Sequence, residues 1–423
     1  MNEPSPPVAD GRRTRVAVLS LHTSPLDQPG TGDSGGMNVY IRSVAERLGG
    51  RGVDVDVFTR CRGRDVPEVE DIAGGGRVIQ IQAGPCAPVA KADLPVLLPQ
   101  FLNGILERRA REDVAYDVVH SHYWLSGWVG ERMKRDLDAP LVASFHTLGK
   151  VKNFTRASSD LPEPAHRLDQ EERVVDSSDA ILATTPAEAA QLVGLYGARP
   201  EQVRVIPPGV DMATFAPKDP GEARARLGLV GKRVLVFVGR LQQLKGPDVA
   251  IRALAEAVNR DPMAMRDVVL AVVGGPSGPS AGASEVSHLM DLASTAGVAD
   301  RVQFYPPQSH ERLGDFYSAA EAVLVPSRSE SFGLVALEAQ ACGAPVVGAS
   351  VGGLRLAVAD GESGFLICGH DPADYADRIL QLLTDPGLAE GLRAGAVRHA
   401  RRFSWDTTTG SVLEVYRELG AAA

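Results

Sequence analysis

The sequence predicts an α/β protein of two parallel-sheet domains, each with helices on both faces, and three observations carry that prediction. Short apolar runs that read as buried strands recur along the chain, with helical stretches between them. The runs fall into two series, one from RVAVLSL (15–21) to VRVIPPG (203–209) and one from KRVLVFVGR (232–240) to GFLI (364–367). The length, 423 residues, suits two or three domains at roughly 100–200 residues each.

Taken in order, residues 1–13 are Pro-rich and polar and read as disordered. RVAVLSL opens the first domain, 14–208, as a buried strand. A Gly-rich loop follows, then a helix in which Met37, Tyr40, Ile41, Val44 and Leu48 share one face. Gly49, Gly50 and Gly52 end it. VDVDVFTR (53–60), VVHSH (118–122), LVASFHT (141–147) and AILATT (180–185) continue the strands. PPGVDMATFAP (207–217) lacks periodicity and marks the join. The second domain, 209–404, continues through VVLAVVGG, VQFYPP, AVLVPS and PVVGAS, and a helix from about Trp405 to 423 is expected to pack back on the first domain. Sites in such sheets lie at the carboxyl ends of the strands, so two domains facing across a cleft would bind ligand there.

Composition excludes several classes. The 44 basic and 53 acidic residues give a net charge of −9, so no sequence-wide basic footprint for nucleic acid exists. No apolar run approaches the roughly 18 residues of a membrane span, and the N-terminus lacks the apolar core of a secretory signal. A cytoplasmic protein is expected. Cys61, Cys86, Cys342 and Cys368 lie far apart, which suggests neither a disulfide framework nor a CxxC metal pair and suits a reducing compartment.

Three segments can carry chemistry. In HTSPLDQPGTGDSGGMN (22–38), Gly32, Gly35 and Gly36 allow close backbone approach, and the following helix N-terminus suits a phosphate; a plain surface loop is the alternative. In GRLQQLKG (239–246), Arg240 and Lys245 sit at a strand's carboxyl end, where two cations would neutralise a departing pyrophosphate; solvated surface cations would look the same. In SESFGLVALEAQACGAPVV (329–347), Glu338 falls in a mostly apolar helix and needs a partner. A ribose diol or a structural salt bridge would serve, with Glu330 in the preceding loop. His120 and His122 share one strand face and read as a structural pair, since a zinc site lacks a third ligand. His22 and His146 end strands and read as ligand-facing. Asp54 and Asp56 mimic a metal-binding DxD, but their strand alternation reads as structural, with side chains facing away from the core.

The GDSGGMN loop, GRLQQLKG and the Glu330–Glu338 pair occur in an order that resembles the retaining GT-B glycosyltransferases of family four, two Rossmann-like domains, over nearly the whole chain from about residue 14. VAVLSLHTSPLDQPGTGDSGGMNVYIRSVAERL, HSHYWLSGW and SFHTLGKVKN narrow the resemblance to members that glycosylate an inositol phosphate at the start of mycothiol biosynthesis. Sucrose-phosphate synthases share much of the pattern. The resemblance implies UDP-N-acetylglucosamine as donor, 1D-myo-inositol 3-phosphate as acceptor and a homodimer. By motif position, Gln28, Pro29, Gly36, Arg240, Lys245, Gln303, Glu330 and Glu338 match donor contacts. His22, Asp33, Ser34, Gly35, Gly36, Met37, Asn38, Lys91, Tyr123, Thr147 and Arg167 match the acceptor site. His146, Arg240, Lys245 and Glu330 match the catalytic set. A structural Mg²⁺ is implied on backbone carbonyls at Tyr317, Ser318, Ala320 and Ala344.

Overall fold

Apolar residues on both faces of a strand require cover on both sides. The computed structural model describes residues 13–155, 161–276 and 282–421, and the chain divides into two units. The expected disordered N-terminus lies, but for Arg13, outside the described residues. The first unit comprises the chain up to Asp27, Ser34–Pro207 and the segment from Trp405; the second comprises Gln28–Asp33 and Pro208–Ser404.

The first unit is built on β1 (Arg15–Leu19), β2 (Asp54–Arg60), β3 (Val69–Ile72), β4 (Gly76–Ile81), β5 (Val118–His122), β6 (Leu141–Ser144), β7 (Ala180–Ala183) and β8 (Val203–Val205), in sheet order β3-β4-β2-β1-β5-β6-β7-β8. Pairing is parallel except between β3 and β4. Leu19, Phe58 and Ile79 form one core with Phe101 and Ile105 of helix Leu98–Glu112 and Val129 and Met133 of helix Tyr123–Leu137. Helix Gly36–Gly49 buries Tyr40, Ile41, Val44 and Leu48. Helix Trp405–Glu418 lies against it, with Trp405 and Tyr40 rings 5.8 Å apart.

The second unit carries β9 (Arg233–Val238), β10 (Val268–Val273), β11 (Val302–Tyr305), β12 (Ala320–Val325), β13 (Val346–Ala349) and β14 (Gly364–Ile367), all parallel, in order β11-β10-β9-β12-β13-β14. Each sheet has a switch point, where successive connections leave in opposite directions. It falls between β1 and β5 in the first unit and between β9 and β12 in the second. Ligand sites of doubly wound sheets form outside the carboxyl ends of such strands.

Two sequence expectations change. Asp56 does not face solvent: its side chain is 3% exposed, paired with Arg77 at 2.8 Å and accepting from the Tyr116 hydroxyl at 2.8 Å. It is structural, but as a buried ionic anchor between β2 and its neighbours. Cys61 and Cys86, read as separate thiols, are joined by a disulfide, with Cα atoms 5.0 Å apart, because the end of β2 runs beside the segment leaving β4.

Asp56→Asn should lower the stability of the first unit by about 2–3 kcal/mol, since it leaves Arg77 without its main counter-charge. Thermal denaturation measures this; an unchanged melting temperature would show that the pair contributes nothing net.

Candidate active site

In the first unit the switch-point strands deliver the site. β1 leads into His22, β5 into Tyr123 and β6 into His146 and Thr147. Tyr123 (φ 72°) and His146 (φ 59°) both take the left-handed backbone region, which is costly for side chains with a Cβ and concentrates at functional sites. The His22 and Tyr123 rings lie 4.7 Å apart. Lys91 Nζ stands 4.9 Å and the Arg167 guanidinium carbon 5.0 Å from the Tyr123 ring centroid. Two cations, an aromatic hydroxyl and the Thr147 hydroxyl thus converge from four separate segments. Arg167 is no surface cation: its side chain is 3% exposed. Its Nε donates to Glu171 at 2.7 Å, one Nη to Glu163 at 2.8 Å and the other to the Thr147 hydroxyl and carbonyl at 3.2 Å. Burial opposes its charge, but Tyr123, Glu171 and Glu163 outweigh that and raise its pKa.

The histidines cluster, with His120 and His122 buried and His22 and His146 half-buried. His122 Nδ1 and His146 Nε2 are 2.8 Å apart; His120 meets the Tyr416 hydroxyl at 2.7 Å and Ser144 Oγ at 3.0 Å. Burial lowers the pKa of His146 to about 3. His22 is also lowered, by burial first and then by Lys91, His146, Arg62 and Arg167. Both rings are therefore neutral near pH 7, able to hydrogen-bond but poor proton acceptors. His22 Nδ1 is buried without a hydrogen-bond partner among the described residues.

Other expected acceptor residues have internal tasks. Asn38 donates to Thr23 Oγ1 and the Ser24 carbonyl and accepts from the Gly35 N–H. Ser34 Oγ bonds Thr23 Oγ1 and Asp27, and Met37 packs on the core. These side chains shape the loop; Gly36 opens the helix, whose Asn38 N–H bonds the Gly35 carbonyl at 3.0 Å. Asp33, Gln28 and Pro29 group with the second unit, where the Gln28 amide donates to the Gln308 carbonyl at 2.7 Å. Sequence reading missed Arg62, which pairs with Asp27 beneath this loop. It also missed Glu163 and Glu171, although their i, i+4 spacing about Arg167 was a usable signal.

In the second unit, Gly239 and Gly274 end β9 and β10. A Cβ on Gly274 would meet the Gly239 carbonyl oxygen at 1.9 Å, so only glycine permits this approach. Arg240 follows, and its guanidinium has no protein partner among the described residues. Lys245 Nζ donates to Glu330 at 2.6 Å, and Ser327 Oγ donates to the same carboxylate at 3.3 Å. Arg328 grips Asp248 through two bonds of 3.0 and 2.8 Å, so two ion pairs fasten the β12 loop to the segment after β9. Gly353 N–H donates to the Glu330 carbonyl at 2.9 Å. Glu338, 7% exposed, accepts from the Tyr317 hydroxyl at 2.9 Å. No salt bridge to Glu338 forms among the described residues. Burial raises its pKa to about 7, with the Tyr317 bond pulling the other way. Gln303 accepts from the Tyr305 hydroxyl at 2.7 Å.

The implied Mg²⁺ set does not fit. The Tyr317 carbonyl accepts the Ala320 N–H, and the Ala320 carbonyl accepts from the Arg393 guanidinium at 2.9 Å. A cation thus already lies on one of the four carbonyl oxygens meant for the ion.

Residues 34–214 match the family Glycosyltransferase Family 4, and residues 221–399 match Glycosyl transferases group 1. A D-inositol 3-phosphate glycosyltransferase of Acidothermus cellulolyticus is 53% identical over 96% of this chain and 90% of its own. One from Actinosynnema mirum is 52% identical over 95% and 96%. The solved sucrose-phosphate synthase of Thermosynechococcus elongatus superposes with TM-score 0.89 at 33% identity, over 97% of this chain and all of that one. The fold is that of the GT-B glycosyltransferases, and the chain belongs to the D-inositol 3-phosphate glycosyltransferases of family four.

Proposed function

We propose that this glycosyltransferase moves N-acetylglucosamine from UDP-N-acetylglucosamine to 1D-myo-inositol 3-phosphate, with retention at the anomeric carbon, giving the glycosylated inositol phosphate and UDP at the entry to mycothiol biosynthesis. The observation that carries the reading is the convergence of Lys91 and Arg167 on the Tyr123 ring, beside a half-buried, neutral His22. A small polyol has few handles; a dianion meeting two cations and two hydroxyls is the strongest available. The names of the relatives supply the inositol phosphate.

The chemistry follows from what each group can do. The bond from the anomeric carbon to the β-phosphate breaks while the bond to the acceptor oxygen forms, and the acceptor's proton passes to a β-phosphate oxygen of the donor. His146 is too weakly basic to take that proton; it orients the donor sugar by hydrogen bonding. Arg240 and Lys245 meet the charge that grows on the departing UDP. Glu330 holds Lys245 in place and Glu338 receives the ribose hydroxyls. A sucrose-phosphate synthase reading draws on the 33% identical neighbour and on the same dianion in fructose 6-phosphate. A protein that merely binds nucleotide sugars would have no use for the Lys91–Arg167 socket.

Product analysis with UDP-N-acetylglucosamine and a panel of phosphorylated polyols and sugars should give an α-linked product with inositol 3-phosphate. Efficient transfer from UDP-glucose to fructose 6-phosphate, with none to inositol 3-phosphate, would replace this reading with the sucrose-phosphate one.

Lys245→Ala should lower kcat by one or more orders of magnitude, since a charge placed against developing charge contributes roughly 2–4 kcal/mol. UDP affinity should fall with it, because Glu330 loses its cation. Near wild-type turnover would remove Lys245 from the leaving-group site.

A diol donates only to ionised Glu338, whose free carboxyl titrates at about 7. Binding should draw its pKa down and release protons near pH 7. UDP affinity should fall below pH 7, approaching about tenfold per pH unit. Glu338→Gln should weaken binding and flatten this profile. Calorimetry showing a wild-type affinity independent of pH from about 5.5 to 8 would exclude the ribose contact.

A further inference from the structure

The Cys61–Cys86 bridge ties the end of β2 to the segment that leads to Lys91. Cys61 follows β2 and is flanked by Arg60 and Arg62. Arg60, buried to 2% exposure, donates to the Pro85 carbonyl at 2.7 Å and the Ala87 carbonyl at 2.6 Å. Arg62 pairs with Asp27, whose carboxylate also accepts the Ser24 N–H at 2.9 Å, and so helps to fasten the Gly-rich loop. Cys61 N–H donates to the Ile81 carbonyl at 2.9 Å. Cys86 lies in the segment leaving β4, which runs on to Lys91 over the Tyr123 ring. Five residues reach at most about 18 Å when fully extended, so anchoring Cys86 to the end of the interior strand β2 limits the range of Lys91. Both cysteines are half-buried, within reach of a small thiol, and their Cα separation of 5.0 Å suits a bridge. Cys342 is buried and Cys368 exposed, both free.

We propose that Cys61 and Cys86 are a reversible dithiol–disulfide site that sets how firmly Lys91 is held for the phosphorylated acceptor. It rests on the reading of Lys91 as an acceptor-phosphate residue. The oxidant is a low-molecular-weight disulfide. One cysteine thiolate attacks it, releasing one small thiol and leaving a mixed disulfide; the other attacks that sulfur, closing the protein bridge and releasing the second small thiol. Excess small thiol reverses both exchanges. The bridged form presents Lys91 with less freedom to lose on binding, which lowers the acceptor KM. UDP handling belongs to other residues and is unaffected.

The full chain is equilibrated in reduced and in oxidised glutathione, then assayed and mapped. Oxidation should remove two hydrogen atoms from the protein mass and link the Cys61 and Cys86 peptides. It should lower the KM for inositol 3-phosphate by about three- to tenfold and leave UDP affinity unchanged. Cys61→Ser and Cys86→Ser should each hold the high KM in both buffers, while Cys368→Ser keeps the response. A peptide map without the Cys61–Cys86 link overturns the proposal, as does a response that survives in Cys61→Ser. A working enzyme whose KM ignores the bridge overturns this inference alone. Absence of transfer to inositol 3-phosphate in both buffers overturns the functional reading, and the claimed effect on the acceptor falls with it.

Discussion

The first unit's site depends on the buried ion pair between Arg167 and Glu171, whose side chains are 3% and 0% exposed. Burying two charges costs several kcal/mol each unless their remaining donors and acceptors are met. Here they are met: Glu171 also accepts from the Gly149 N–H at 2.8 Å and the Tyr196 hydroxyl at 2.5 Å. Arg167 spends its other donors on Glu163 and Thr147. The pair therefore pins the segment after β6 from beneath. A Cβ at Gly149 would come within 2.6 Å of Leu168 and 3.1 Å of Glu171, so the segment approaches as closely as glycine allows. That anchoring supports the left-handed backbone of His146 and aims Thr147 toward Tyr123.

The second unit solves its own problem differently. Ion pairs Lys245–Glu330 and Arg328–Asp248 are partly exposed, so they can open to a ligand at modest cost. Glu338 is the opposite case. Among the described residues its carboxyl is met by a neutral hydroxyl alone, and burial raises it to about 7, where hydroxyl donors can draw it into the ionised form. One unit holds fixed charge and the other holds charge that responds to ligand.

The parallel sheets were legible because their strands are apolar on both faces and short, and because helix Gly36–Gly49 repeats its apolar residues at helical spacing. β3 and β4 were not: VEDI is half acidic, and GRVIQI opens on the last of three consecutive glycines. Lys91, Tyr123, Thr147 and Arg167 were named from motif position, but their convergence is a tertiary fact. Ser34 and Asn38 carry the same motif signal, and in the structure their side chains hydrogen-bond within the loop. The burial of Asp56 was missed for a related reason, since strand alternation gives a face but not that Arg77 and Tyr116 meet the carboxylate there. The Cys61–Cys86 pairing depends on β4, so it could not be seen before that strand was.

The central claim is that Lys91 reads the acceptor phosphate, and a thermodynamic cycle tests it most directly. kcat/KM is measured for inositol 3-phosphate and for inositol, in the wild-type enzyme and in Lys91→Ala. Charge-assisted bonds contribute about 1.5–3 kcal/mol each, so removing the phosphate should cost the wild type about 10³-fold. In Lys91→Ala the same change should cost at least about tenfold less. An equal cost in both enzymes would show that Lys91 does not see the phosphate and would contradict the account.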